Sequence, residues 1–145
     1  YIEEPLADVA RLPEFAATSG LPVALDESVL EMTPAQLQDH AYATAVVLKA
    51  TFGGGWTWAE AWHQAASARH MKVVVSAAFE SGVGLQHLVA MAAQCSGGAP
   101  VGLDTYRWLA ADVLHPRLDL THPTLNVADV LRRTAVDETL LTRIA

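Results

Sequence analysis

Three ionisable residues recur at even spacing near the start of the chain. Glu3, Asp26 and Lys49 stand 23 residues apart, and Ser76 and Leu103 follow at intervals of 27. Each closes a short apolar run. Two carboxylates at the ends of adjacent strands would point into one mouth, and such hard oxygen ligands suit Mg²⁺, which is commonly held by a few carboxylates plus water and substrate. A lysine on the next strand would face the same mouth. Beside a divalent cation its pKa is expected to fall, which suits acid–base work. Alternatively it stays charged and stabilises a developing anion. Together the three residues point to proton abstraction next to a carboxylate, with a metal stabilising the enediolate. Spacing alone leaves open the simpler reading, in which strand-end charges are merely solvated or paired.

Such groups need strands to carry them. "YIEE", "LPVALDES", "AVVLKAT", "MKVVVSAA" and "APVGLD" are short, apolar and β-branched, without clean alternation. Strands buried on both faces of a parallel sheet read this way. Helical patterns lie between them. Leu6 to Ser19 precedes a C-capping Gly20, and Thr33-Pro34 opens a short helix to His40. Trp56 to His70, Val83 to Gln94 and Thr105 to Leu114 follow, and Asn126 caps a last stretch, "NVADVLRR". Strand alternating with helix predicts right-handed βαβ units. Polar residues at successive strand ends favour a TIM barrel, whose sites lie on that face. An open doubly wound sheet is the alternative, but no glycine-rich phosphate fingerprint follows the first strand.

The chain has 145 residues, of which 52% are hydrophobic and only 17% charged. That is ample for one core and sparse for a fully solvated surface, so part of the surface is expected to be covered by other protein. A net charge of -7 without any Lys/Arg run argues against nucleic-acid binding. No apolar run is long enough to span a bilayer, so no membrane partner is expected. The lone Cys95 rules out an internal disulfide, fits a cytoplasmic location and reads as a structural thiol. Trp56, Trp58 and Trp62 read as helix packing. His63, His70, His115 and His122 lack further ligands and read as surface or core residues. Asp104 and Arg107 read as an ion pair.

"YIEEP", "ALDES", "VLKAT" followed by "GGG", "VVSAAFESGVGL" and "GLDTYRWLAADV" resemble the o-succinylbenzoate synthases of menaquinone biosynthesis, in the enolase superfamily. The likeness runs from Tyr1 to about Pro116. It implies a lyase that dehydrates a cyclohexadiene carboxylate with Mg²⁺. The resemblance makes Glu3 and Asp26 metal ligands and Lys49 a cationic partner of the enediolate. It makes Ser76 and the backbone near Ala77 candidate contacts for a succinyl side chain, with Gly53 and Gly54 as weaker ones. The family more often has proline where Ala50 stands and a second serine where Ala77 stands.

A (β/α)8 barrel has eight strands and about 250 residues. Five strands are countable here, so residues 1–145 are expected to form strands four to eight, the C-terminal portion of such a barrel. The first strands, with a second lysine and a third metal ligand, and the capping domain would then belong to the N-terminal part of the same enzyme, the partner expected besides a small-molecule carboxylate. Alone, the chain is expected to be inactive and prone to associate through open sheet edges. A racemase of N-acylated amino acids on the same scaffold is the alternative activity.

Overall fold

The computed structural model describes residues 1–132 and 135–142. Four strands form one parallel sheet in chain order: β1 (Ile2–Glu3), β2 (Val23–Leu25), β3 (Ala43–Leu48) and β4 (Lys72–Val75). The register pairs Glu3 with Ala24, Ala24 with Ala45, and Leu48 with Val75. Between them run α1 (Leu12–Ser19), the one-turn α2 (Ser28–Glu31) and α3 (Ala50–Gly53), and α4 (Trp56–Ser67). After β4 come α5 (Gly82–Cys95) and the short α6 (Val127–Leu131). This is an α/β arrangement in which strands of one parallel sheet alternate with helices.

Local chemistry explains most boundaries. Pro13 cannot donate to a preceding turn, so the first helical pattern begins as a 3₁₀ turn over Val9–Arg11 and becomes α-helical from Leu12. Gly20 ends it in the left-handed region at φ 67°. Thr33 and Gln36 form a capping box that starts a 3₁₀ helix over Pro34–Asp39. The Ser81 hydroxyl accepts from Gly84 N–H at the start of α5, and the Asn126 side chain caps α6. Arg133 of the last motif lies outside the described residues.

Two expected elements shrink. The fifth strand is a single parallel bridge between Ser76 and Gly102. Gly102 uses both backbone groups there, donating to Val75 and accepting from Ala77. Pro100 has no N–H to extend the pairing, and a 3₁₀ turn begins at Asp104. The helix expected from Thr105 to Leu114 covers only Asp104–Trp108. Asp112 is drawn away by tertiary bonds from Gly82 N–H and the Tyr106 hydroxyl. Asp104 and Arg107 do pair, at 2.9 Å.

Side chains alternate along each strand. Leu25, Val46, Leu48, Val73 and Val75 face the helices and join the main core with Trp62, Leu85 and Leu88. Ala24, Ala45, Val47 and Val74 form a second buried cluster on the other face. This two-sided burial is why the strands lack alternation in sequence.

Trp62 is fully buried and its indole N–H has no partner among the described residues. Trp62→Phe removes that unsatisfied donor and keeps most of the ring, so it should cost under about 1.5 kcal/mol. Trp62→Ala should cost about 3–5 kcal/mol. Urea unfolding of the two variants checks the difference. An equal loss would show that the orphan donor and the residual ring do not matter.

Candidate active site

The polar residues picked out by spacing do stand at strand ends. Glu3 is the last residue of β1, and Asp26, Lys49 and Ser76 each follow the last residue of β2, β3 and β4. Alternation places Asp26 on the face of Ala24, Lys49 on the face of Ala45 and Val47, and Ser76 on the face of Val74. The register puts Glu3 opposite Ala24, on that same face. The second apolar cluster is therefore the floor beneath these groups.

Lys49 and Asp26 are bonded directly. The Lys49 ammonium donates to Asp26 Oδ2 at 2.6 Å and to Glu27 Oε1 at 3.0 Å. Glu27 stands at the start of α2 and turns its carboxylate to Lys49 instead of capping that helix. Asp26 is 7% exposed, and its other oxygen, Oδ1, is buried with no hydrogen-bond partner among the described residues. Glu4 has a positive φ of 26°, and both its carboxylate oxygens accept from Ser28 N–H at 3.2 Å. It thereby fixes the turn that carries Asp26 into α2.

The two ion-pair partners shift in the same direction. Burial pushes the Asp26 carboxyl above its usual pKa, beyond what Lys49 pulls back. Burial works against the Lys49 charge, but two carboxylates outweigh it and hold the lysine above its usual value. The lysine is the secure charge, because it has two anionic partners, while Asp26 is the costly one. This direction for the lysine belongs to the metal-free site and matches the alternative in which Lys49 stays charged. The lysine's contribution to stability is complete below its unfolded value and is lost as pH rises through its folded value.

The orphan Asp26 oxygen is an acceptor on the same face as the exposed Glu3 carboxylate. Glu3 also acts electrostatically on Asp26. Among the described residues no group of three His, Cys, Asp or Glu is assembled for a metal. Glu3 and Asp26 offer two carboxylates on one face, a donor set that suits an ion such as Mg²⁺, which takes few protein ligands.

The other candidates divide. Ser76 Oγ donates to the Gly102 carbonyl at 3.3 Å and stands beside the mouth. Ala77 is buried, and its N–H already serves the Gly102 carbonyl at 2.7 Å. Gly53 has a packing reason for lacking a side chain, since a Cβ would lie 2.3 Å from the Trp58 indole. Gly54 adopts φ 112° as the cap of α3. Sequence reading left out Thr51 and Thr105. Both contact the loop after β4, and only tertiary structure brings them there. A groove of about 910 Å³ lies elsewhere, between α5 and residues 120–127, and includes none of Glu3, Asp26 or Lys49.

Residues 1–131 match the family described as enolase C-terminal domain-like. The chain belongs to that family. It is 32% identical to the o-succinylbenzoate synthase of Yersinia pseudotuberculosis over 125 residues, which cover 86% of this chain and 38% of that one. It is similar to the crystal structure of MenC from Desulfotalea psychrophila LSv54, with TM-score 0.67 and 25% identity over 77% of this chain and 33% of that chain. A protein of Roseovarius nubinhibens ISM named for mandelate racemase and muconate lactonizing enzymes, solved in complex with magnesium, matches with TM-score 0.66 and 26% identity. The match covers 77% of this chain and 31% of that chain. The chain spans well under half the length of the curated relatives it matches. The fold class and the superfamily enzyme assignment made from sequence agree with these matches. No helix among the described residues is long and apolar enough to cross a membrane.

Proposed function

We propose that this chain is the C-terminal portion of a (β/α)8 barrel and that the complete enzyme is an o-succinylbenzoate synthase. The observation that supports it best is a cationic Lys49 beside a buried Asp26 with one unpartnered oxygen, over an apolar floor. Similarity to a named synthase adds the substrate class. Glu3 and Asp26 would hold Mg²⁺, which would supply positive charge at the substrate carboxylate.

The substrate is 2-succinyl-6-hydroxy-2,4-cyclohexadiene-1-carboxylate. Loss of its α-proton and its hydroxyl as water gives aromatic o-succinylbenzoate. A base from the N-terminal part of the enzyme takes the α-proton. Negative charge then develops on the carboxylate, and Lys49, held in place by Asp26 and Glu27, stabilises it. The floor of Ala24, Ala45, Val47 and Val74 excludes water and so strengthens that interaction. Ser76 contacts the succinyl arm. A racemase would need Lys49 to give up and regain a proton. In the metal-free site two carboxylates favour its charged form, and substitution of Lys49 by arginine separates the two roles.

The test is conversion of the cyclohexadiene substrate by the full-length enzyme, followed by the ultraviolet absorbance of the aromatic product. Activity should disappear with EDTA and return with Mg²⁺. Full activity without a divalent ion, or racemisation of N-acylamino acids with no dehydration, would overturn the proposal.

A further inference from the structure

The loops after β3 and β4 are joined through one carboxylate. Glu80 Oε1 accepts from the Thr51 hydroxyl at 2.5 Å, and Oε2 accepts from Ala78 N–H at 2.6 Å. Thr51 lies two residues beyond Lys49, and Ala78 lies two beyond Ser76. The strands that carry them are neighbours, with Leu48 opposite Val75. Glu80 therefore bridges equivalent offsets on two adjacent strand ends.

Two further observations show that this bridge is built into the fold. Phe79 adopts φ 64°, unusual for a bulky residue, although the residue is 60% exposed. Little packing holds it there. Hydrogen bonds do: Phe79 N–H donates to Thr105 Oγ1 at 3.2 Å, and its neighbour Ala78 donates to Glu80. The first turn of α5 also leaves room for the Glu80 stem. A Cβ at Gly84 would lie 2.8 Å from Glu80 Cβ and 3.2 Å from its Cγ.

We infer that Glu80 is a positioning residue that sets the separation of Lys49 and Ser76 across the mouth by clamping their two loops together. This rests on the site reading above and extends it to a residue that need not touch substrate. Glutamine at position 80 can keep the bridge. Its carbonyl oxygen accepts from Ala78 N–H, and its amide donates to a Thr51 hydroxyl turned to accept. Alanine can do neither.

The test uses the full-length enzyme with Glu80→Gln, Glu80→Ala and Gly84→Ala. Hydrogen exchange at Ala78 and Phe79 should be faster by about tenfold or more in Glu80→Ala and Gly84→Ala, given what a hydrogen bond to a carboxylate is worth, and near wild type in Glu80→Gln. In Glu80→Ala the KM for the carboxylate substrate should rise about tenfold with kcat changed less, because the loop carrying the Ser76 contact is released while Asp26 and Glu27 still hold Lys49. Mg²⁺ affinity should not change, since Glu3 and Asp26 are untouched. Wild-type exchange in Glu80→Ala would overturn the inference. So would faster exchange with both kinetic constants unchanged, or Glu80→Gln as impaired as Glu80→Ala. The exchange readout needs no turnover. A wild-type enzyme that makes no product therefore marks failure of the proposed reaction, while altered exchange still supports the clamp.

Discussion

Lys49→Met in the full-length enzyme is expected to lower kcat by about three orders of magnitude, within the range found for a positioned acid–base or electrostatic group. KM should move far less. The ammonium acts on charge that exists only as the α-proton leaves, so it stabilises the transition state more than the bound substrate. Lys49→Arg separates the two rival roles. It keeps the positive charge near Asp26 and Glu27 but cannot lose a proton at working pH. An electrostatic role should keep measurable activity, at least about tenfold above the methionine variant. A proton-transfer role should leave the two variants equally dead. A methionine variant with more than a tenth of wild-type kcat would remove Lys49 from the chemistry.

The same variant carries a stability signature. Without Lys49, Asp26 loses the cation that offsets its burial, so its folded pKa rises further. A carboxyl with a raised folded pKa contributes stability below its unfolded value of about 3.9, and that contribution is lost as pH rises. Lys49→Met should therefore be closest to wild type in acid and fall behind as pH rises from 4 to 8. Thermal midpoints at the two ends of that range check it. A constant deficit would mean that Asp26 does not sense the missing charge.

The parts of the site that are local in sequence were legible there. A polar residue ending a buried apolar run is readable at Asp26, Lys49 and Ser76, because each strand and its terminal residue are contiguous. Capped helices such as 34–39 and 82–95 were readable for the same reason. One-turn pieces such as α2 and α3 are too short to show a period. The ion pair between Lys49 and Asp26 depends on how β2 and β3 register, including the shift between Val23 and Ala24, and no local pattern encodes that. The Glu80 bridge to Thr51 spans 29 residues and is likewise tertiary. The fifth strand was over-read because apolar β-branched character does not reveal where a ladder loses its partners.

Asp26→Asn is expected to weaken Mg²⁺ binding by more than the roughly 10–100-fold typical of residues that only support a metal ligand. Asparagine keeps the shape and one acceptor but removes the charge. Its amide would also place a donor near the Lys49 ammonium, which is left with Glu27 alone. The metal-free fold should suffer little. Burial already disfavours the Asp26 charge, so a neutral isostere removes a cost while it loses one bond to Lys49. The two effects separate in one pair of thermal melts of the full-length protein. Mg²⁺ at 100 times its dissociation constant stabilises a wild-type binder by about 2.7 kcal/mol. At that same concentration Asp26→Asn should gain less than half as much, yet melt near wild type in EDTA. Equal gains from Mg²⁺ would strike Asp26 from the ligand set. A large deficit already present in EDTA would mean that its bond to Lys49 serves the fold first and the metal second.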